Sequence, residues 1–374
     1  MRLVPIECVK EGSLLAKPLY DDEGRILLKE GIRLTSTIIK RISSIKIYSV
    51  YIIDEYSNKE IEDVIKPDLR QKAIAKLKET FLNIEKFIPS VSNNTLPSKA
   101  QLNTFLRERQ AIFDNILSVA NSLMEEILSK KNILVNLVDI KSMDNYTYQH
   151  CVNVAILSLI LGIRLNLNKN ELRDLCIGAL IHDIGKILTP KSILLKEGGL
   201  TDSELAIMRE HTIKGYEYVK NIPEIPATSR VITIQHHERY DGSGYPHHKK
   251  GKNIHKFSRI VAIADVYDAL TSDRPYRRAL SPSEALEYIM AGGSSQFDFD
   301  MVKTFAQIIV PYPEGTLVLL STGEFAVVEE IYQNYPLRPK VKVVKSNITD
   351  RINATVNLVE SIDIVIKDYA YNID

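Results

Sequence analysis

Residues 175–186 read LCIGALIHDIGK, an almost wholly apolar run that ends in a histidine and an aspartate. The apolar part is typical of a buried helix. An ionised Asp183 beside a buried helix end costs free energy unless it is paired or bound to a cation. With His182 it forms either a helix-end hydrogen bond or a pair of metal ligands. Lys186 lies three residues later and points to the same side on a continuing helix.

Two further histidines lie on apolar faces of predicted helices. His150 and Val154 begin an apolar stripe with helical spacing, where a single histidine is most often a hydrogen-bonded core residue. Thr201 and Glu204 have the spacing of a capping box, which predicts a helix that begins near residue 202. His211 follows and also faces inward.

Neighbouring histidines end the apolar segment 231–234. Consecutive residues of a helix diverge by about 100°, so His236 and His237 can serve two adjacent cations. His247 and His248, by contrast, lie in a loop beside three lysines. We assign that second pair no ligand role.

The segment 260–270, IVAIADVYDAL, is an apolar helix whose only acids are Asp265 and Asp268. The spacing puts both acids on one face. A solvated face would carry more polar residues, so we expect both to line a site.

The inward histidines and carboxylates are too numerous for one structural zinc, which needs four ligands. They can hold two cations bridged by Asp183, an arrangement used for phosphoester hydrolysis. Nitrogen and oxygen ligands suit iron or manganese and do not exclude zinc or nickel.

Length and composition limit the function classes. The 374 residues suggest two domains, or two and an appendage. A net charge of +1, from 48 basic and 47 acidic residues, disfavours bulk binding of nucleic acid. Three scattered cysteines exclude a disulfide scaffold and a cysteine zinc cage. No targeting segment and no apolar run of about 20 residues is visible, so we expect a cytoplasmic protein without a membrane span.

The pattern divides the chain into four regions. We expect a small β-rich N-terminal module at 1–62, linker helices at 63–129, a helical domain with the histidines at 130–312, and a β-strand appendage at 313–374. The linker helices either form a dimer seam or, as we favour, pack onto the next domain.

Local signals predict individual elements within these regions. Thr35 opens a helix up to residue 45, and 45–53 is a strand. A linker helix over 66–88 is stopped by Pro89, a polar loop follows, and a second helix comes after it. Short strands are expected at residues 316–320, 325–328 and 341–344.

Four motifs, in the correct order, resemble the HD-GYP subfamily of HD-domain phosphohydrolases. They are YTYQH at 146–150, the pair His182-Asp183, HHERYDGSGYP at 236–246 against HHExxDGxGYP, and DVYDALTSDRPYR at 265–277 against DxYDALTSxRPYR. The resemblance covers about residues 130–312. It implies a mainly α fold, an HD-type helical bundle with the small β-rich module before it and the short β appendage after it.

The resemblance implies a metal-dependent phosphodiesterase that hydrolyses cyclic di-GMP to pGpG and, in some members, to GMP. A hydroxide shared by two divalent ions, iron or manganese, would attack the phosphorus. Some members carry a glutamate that allows a third metal where this chain has Tyr146, so we expect two ions, with Asp183 as the bridge. The implied metal ligands are His150, His182, Asp183, His211, His236, His237 and Asp265.

The same resemblance implies the residues that meet the substrate. Lys186 contacts the scissile phosphate or helps the leaving oxygen, and it acts in catalysis with Asp183. Arg274 holds a phosphate through its planar guanidinium, unless it forms a surface salt bridge with Asp273. The expected substrate contacts are Lys186, Gly244, Tyr245, Pro246, Asp268, Arg274 and Arg277.

Partners and alternative functions follow from the same family. The Gly244-Tyr245-Pro246 motif is linked there to contacts with diguanylate cyclase (GGDEF) proteins. A homodimer is a further expectation, which rests on the apolar stripes of the linker helices and not on the family. The alternatives are a hydrolase of another cyclic dinucleotide such as cyclic GMP-AMP, and a non-catalytic receptor or scaffold. A receptor should have lost ligands, and here every ligand expected for two ions is present.

Overall fold

The structure is a computed structural model that describes residues 1–21, 24–45, 47–57, 63–91, 99–130, 135, 146–196, 198–272 and 279–373. For residues 86–91, 99–109 and 146 it describes only the backbone. Within these described residues, helices dominate the middle of the chain and the named strands lie at its two ends, as the sequence predicts.

The α-helices are α1 (Ser36–Ser44), α2 (Pro67–Val91), α3 (Lys99–Leu128), α4 (Tyr146–Arg164), α5 (Lys169–Ile181), α6 (Lys191–Leu194), α7 (Asp202–Arg209), α8 (His211–Val219), α9 (Ala227–Gln235), α10 (Lys256–Leu270), α11 (Pro282–Ala291) and α12 (Phe299–Ala306). The strands are β1 (Arg2–Pro5), β2 (Leu14–Leu15), β3 (Leu19–Tyr20), β4 (Ile26–Leu28), β5 (Ser49–Ile53), β6 (Leu317–Leu320), β7 (Phe325–Glu330), β8 (Lys340–Lys345), β9 (Thr355–Asn357) and β10 (Ile366–Tyr369).

The N-terminal unit is a small antiparallel sheet in the order β1-β5-β2, a β3-β4 hairpin and the helix α1. The Thr35 cap is confirmed, because its hydroxyl accepts from the N–H of Ile38 at 3.3 Å. The predicted strand at 45–53 is wrong in its first part. Ile45 instead closes α1 by donating its N–H to the carbonyl of Arg41, and the strand begins at Ser49.

The two linker helices pack onto the helical domain. Buried residues of α2 and α3, such as Phe81 and Leu123, belong to one apolar core with Leu157 of α4. The interpretation of the linker as helices packed on the next domain is therefore confirmed. The predicted stop at Pro89 is wrong, because α2 continues to Val91. A proline near a helix end removes only one hydrogen bond, so the last turn can persist.

Helix α4 forms the centre of the helical domain. Every residue from His150 to Gly162 is buried, and α4 packs against α5 on one side and α10 on another. The few polar residues inside this core therefore need partners within it. Across the ranges given above, no helix has both the length and the apolar character needed to cross a membrane.

The C-terminal unit is a five-stranded antiparallel sheet in the order β10-β6-β7-β8-β9. The three predicted strands are confirmed to within one or two residues, whereas β9 and β10 were not predicted. Arg2 joins this unit to the N-terminal sheet, since its guanidinium donates to the carbonyl of Tyr371 at 2.9 Å and to Asp54 Oδ2 at 2.7 Å. The domain boundaries drawn from the sequence stay predictions.

Candidate metal centre

Five helices bring every predicted ligand to one place. His150 lies on α4, His182 and Asp183 follow α5, His211 begins α8, the histidine pair follows α9, and Asp265 lies on α10. These residues form two groups, and within each group the ligand atoms lie within 4.8 Å of one another. One group is Asp183 with His211, His236 and His237, and the other is Asp183 with His150 and His182. Asp183 is thus shared by both groups.

The two oxygens of the Asp183 carboxylate are divided between these groups. Oδ1 lies 3.5 Å from Nε2 of His211 and 3.8 Å from Nε2 of His236. Oδ2 lies 3.4 Å from Nε2 of His182 and 3.9 Å from Nε2 of His150. One carboxylate can therefore offer an oxygen to each of two adjacent cations, as the sequence predicts.

Lys186 lies beside Asp183, although the backbone differs from the expected continuing helix. Helix α5 ends at Ile181, and Ile184–Leu188 forms a short 3-10 helix. Residues three apart are aligned in that conformation. Lys186 Nζ therefore lies 2.5 Å from Asp183 Oδ2, with its side chain 27% exposed.

Three histidines are oriented by backbone carbonyls. A carbonyl only accepts, so the neighbouring Nδ1 carries the proton and Nε2 faces the centre as a free lone pair. The Nδ1–carbonyl distances are 2.7 Å for His182 to Ala179, 2.7 Å for His211 to Met208 and 3.0 Å for His236 to Ile232.

Two buried atoms at the centre have no hydrogen-bond partner among the described residues. They are Nε2 of His182 and Oδ1 of Asp183. Buried polar atoms are normally satisfied, and leaving them bare costs free energy. Both atoms are acceptors, and neither receives a hydrogen bond from a donor. A buried imidazole nitrogen and a buried carboxylate oxygen in this state fit a bound divalent cation.

The protonation states suit metal binding in the group around Oδ1. Burial lowers the pKa of His211, His236 and His237 (to about 3 for His237), so these imidazoles are neutral at pH 7. Burial alone would raise the pKa of Asp183, but the Lys186 ammonium beside it holds that pKa well below its usual range. The group therefore offers neutral nitrogens and an ionised oxygen.

His150 has a different environment because two carboxylates contact it. Its Nε2 lies 3.0 Å from Asp265 Oδ1, and its Nδ1 lies 2.7 Å from Asp268 Oδ2. Burial lowers the pKa of His150, but the hydrogen bonds to the two aspartates outweigh it and raise the pKa to about 9. We expected Asp268 among the substrate contacts. Its oxygens point at His150 and at Nδ2 of Asn153, 3.1 Å away, so it orients the imidazole, and its contact with substrate stays a prediction.

The Gly-Tyr-Pro segment covers one side of the centre. The Tyr245 ring stacks on His237 with a centroid distance of 4.9 Å and an interplanar angle of 29°. The Arg209 guanidinium lies 5.2 Å from the Tyr245 ring centroid. A side chain on Gly244 would lie 2.2 Å from the backbone nitrogen of Arg239, so only glycine fits there.

Glu238 is a residue that the sequence reasoning missed. It is buried, and its carboxylate accepts from the N–H of His247 at 2.8 Å and of Lys249 at 3.0 Å. It therefore fixes the loop that follows Pro246. An acid directly after the histidine pair was the available signal, but its burial and its backbone partners are not visible in a sequence.

The remaining predicted residues lie away from the two ligand groups or outside the residues that the structure describes. His247 and His248 are exposed and belong to neither group, as expected. Arg274, Arg277 and Asp273 lie outside the described residues, and of Tyr146 only the backbone is described.

Comparisons with known proteins agree with this geometry. A family model described as "HD domain" matches residues 121–301, and one described as "KOW domain associated with HD domain" matches 317–370. The chain is 38% identical over 228 residues to a cyclic di-GMP phosphodiesterase of Pseudomonas aeruginosa. The matched region covers 60% of this chain and 55% of that protein.

Two further relatives bear on the substrate. A cyclic di-GMP phosphodiesterase of Thermotoga maritima is 30% identical over 271 residues, 69% of this chain and 71% of that protein. A 3'3'-cGAMP-specific phosphodiesterase of Vibrio cholerae is 40% identical over 163 residues, 44% of this chain and 37% of that protein. The chain therefore spans only about half the length of the Pseudomonas relative, 55%, and less of the Vibrio one.

Proposed function

Because the chain belongs to the HD domain family and carries the motifs of its HD-GYP subfamily, we propose that it is a metal-dependent phosphodiesterase that hydrolyses cyclic di-GMP to pGpG, a product that some members of the subfamily hydrolyse further to GMP. The observation that carries the proposal is the Asp183 carboxylate, with one oxygen toward each of two groups of buried histidines. Two divalent cations about 3.5–4 Å apart are an arrangement used for phosphodiester cleavage, and this carboxylate would offer an oxygen to each.

The ligands divide between two divalent ions, iron or manganese. Asp183 would hold one ion with His211, His236 and His237, and it would hold the other with His150, His182 and Asp265. The bound cations supply a water-derived nucleophile at neutral pH and charge to stabilise the phosphoryl oxygens.

Each surrounding residue has a role that follows from its contacts. The carbonyls behind the histidines keep Nε2 directed at the centre. Lys186, partly exposed and beside Asp183, can donate a proton or a hydrogen bond to a phosphate oxygen or to the leaving oxygen. Tyr245, stacked on His237, forms the cleft wall with Gly244 and Pro246. The phosphate-binding role of Arg274 and Arg277, which lie outside the described residues, follows from the subfamily motif alone.

The substrate is tested by a panel of cyclic dinucleotides. The full chain is incubated without air with Fe(II) or Mn(II) and cyclic di-GMP, 3'3'-cGAMP or cyclic di-AMP, and the products are separated by chromatography. We expect cyclic di-GMP to have the highest kcat/KM. The Asp183→Ala protein is the control for contaminating activity.

Two other outcomes correspond to the alternatives. A higher kcat/KM for 3'3'-cGAMP would make the chain a cyclic GMP-AMP phosphodiesterase, a candidate supported by the Vibrio relative. Tight binding of a cyclic dinucleotide without turnover, in protein with full metal content, would make it a receptor.

The number of ions is tested separately. Tyrosine, with an ordinary pKa of about 10, is a poor ligand at neutral pH, so Tyr146 in place of a glutamate favours two ions over three. Elemental analysis of protein purified without air should give about two ions per chain. Three tightly bound ions would contradict this.

Partners are proposed on the same basis. The Gly244-Tyr245-Pro246 loop would contact diguanylate cyclase (GGDEF) proteins, which a pull-down with wild-type and Tyr245→Ala protein tests. Light scattering after size exclusion tests the homodimer, with a monomer mass as the contrary result. The cytoplasmic location stays a prediction.

A further inference from the structure

A buried arginine of the linker contacts the polar residues behind the metal centre. Arg70 lies in the first turn of α2 and is 8% exposed. Its Nη1 donates to Oδ1 of Asn153 on α4 at 2.7 Å. Arg70 is outside residues 121–301, where the HD domain model matches. Charged residues are rarely buried unless they are paired, so this position needs a reason.

A chain of hydrogen bonds leads from Arg70 to His150. Nδ2 of Asn153 donates to Oδ1 of Asp268 at 3.1 Å, and Oδ2 of Asp268 lies 2.7 Å from Nδ1 of His150. The contacts fix the orientation of the Asn153 amide. Its oxygen must face the guanidinium, which only donates, and its nitrogen must face the carboxylate, which only accepts.

Each bond in this chain restricts the next group. If Arg70 is removed, the Asn153 amide loses the donor that holds its oxygen, and Asp268 loses the fixed donor on one side. Asp268 is the acceptor that sets both the ring orientation and the tautomer of His150. Arg70 also supplies a positive charge that offsets the buried Asp268 when His150 binds a cation in its neutral form.

We propose that Arg70 is a positioning residue for His150, which acts through Asn153 and Asp268 and thereby makes the linker helix α2 part of the metal centre. The inference rests on the proposed role of His150 as a metal ligand. It adds a residue that lies 80 positions before His150 and in no recognised motif.

The test is a Mn(II) titration of the metal-free full chain, followed by electron paramagnetic resonance. Loss of a group that orients a metal ligand commonly weakens binding 10- to 100-fold. Arg70 is two residues further from His150 than Asp268 is, so we expect Arg70→Met to weaken one of the two Mn(II) equivalents roughly tenfold and leave the other unchanged. Arg70→Lys, which keeps a charge and a donor, should recover part of the loss.

A matched control separates positioning from loss of a buried ion pair. Arg259 on α10 is also a mostly buried arginine, 13% exposed, but it pairs with Asp298 and has no described contact with the centre. Arg259→Met should lower the melting temperature and leave both Mn(II) affinities native. If Arg70→Met loses affinity no more than Arg259→Met, the proposal is overturned.

A double variant tests whether Arg70 and Asp268 act through the same series of hydrogen bonds. Arg70→Met combined with Asp268→Asn should bind Mn(II) as weakly as Asp268→Asn alone, because effects within one network are not additive. Full additivity would overturn the proposal. Should Arg70→Met fail to fold, Asn153→Ala breaks the same series of hydrogen bonds closer to His150 and must weaken Mn(II) binding about tenfold. Native Mn(II) affinity in that variant also overturns the proposal.

The titration also distinguishes this inference from the proposed function. If the wild-type chain binds Mn(II) but hydrolyses no cyclic dinucleotide, the phosphodiesterase assignment fails while the effect of Arg70→Met on affinity still decides the positioning role. If hydrolysis is found, kcat/KM at limiting Mn(II) should fall with the affinity and recover at saturating Mn(II).

Discussion

Gly185→Ala should damage the metal centre without touching a ligand. Gly185 lies in the 3-10 helix after Asp183, and a Cβ built there would lie 1.9 Å from the carbonyl oxygen of His211 and 2.7 Å from the backbone nitrogen of Gly215. Both are backbone atoms of α8, so no side chain can rotate away. Ordinary contact begins near 3.4 Å, and one of the two backbones must therefore move by roughly 1.5 Å.

That displacement is large compared with the geometry of the site. His211 Nε2 and Asp183 Oδ1 are 3.5 Å apart, and the two residues belong to the two backbones that the methyl group separates. A misplacement of about 1 Å can cost roughly 100-fold in rate. Overpacking also costs about 1–3 kcal/mol of folding free energy. We expect reduced metal content at the group that includes His211 and at least a roughly 100-fold lower kcat/KM for cyclic di-GMP.

The matched control is Gly199→Ala, where an added Cβ would meet nothing within 4 Å. Metal content by elemental analysis and kcat/KM by chromatography are measured for both proteins, with thermal unfolding as a check on folding. A folded Gly185→Ala protein with two ions and the kcat/KM of Gly199→Ala would refute the argument that close backbone packing positions His211.

Three further predictions address the ligands, the phosphates and the protons. His182→Ala and Asp183→Ala each remove a ligand, so metal content and hydrolysis should be lost together; native turnover with full metal content in either protein would show that the ligand assignment is wrong. Arg274→Ala should keep its metal while kcat/KM falls about ten- to a hundredfold, the cost of a charge-assisted bond worth roughly 1.5–3 kcal/mol; unchanged kinetics would mean that the guanidinium does not reach the substrate. In the metal-free protein the His150 pKa is raised to about 9, so metal uptake near pH 8 should release about one proton from this imidazole. The same raised pKa of His150 stabilises the metal-free fold. This stabilisation is complete below the unfolded-state pKa of about 6.5 and is lost as the pH rises through about 9. Titration in unbuffered solution checks the proton release, and unfolding curves at several pH values check the stability.

The residues that meet at the candidate centre could be predicted from the sequence because each lies where a helix would otherwise bury an apolar side chain. His150 and His211 interrupt apolar stripes, and His182-Asp183 ends an apolar run. Such signals are local, since they depend on helical periodicity and on residue type alone. The Thr201 cap was predictable for the same reason, and α7 begins at Asp202 as expected.

The residues behind the ligands could not be predicted in the same way. Arg70 and Asn153 are 83 positions apart and meet only because α2 packs on α4. Helical spacing put Asp268 on the same face as Asp265 but could not tell on which side of His150 its carboxylate would lie. In the sequence Glu238 looks like a surface acid. Its partners are backbone N–H groups of a later loop, and residue types do not reveal them.

If the residues that meet from five helices between His150 and Asp265 bind metal as proposed, the lifetime of the protein would also depend on metal supply. A cation that binds only the assembled bundle stabilises it by about 2.7 kcal/mol when its free concentration is 100 times its dissociation constant. When metal is scarce this contribution disappears, and the unfolded fraction open to proteases rises about a hundredfold. A cell short of metal would therefore lose the protein itself in addition to its activity, and removal of the chain would persist until new protein is made.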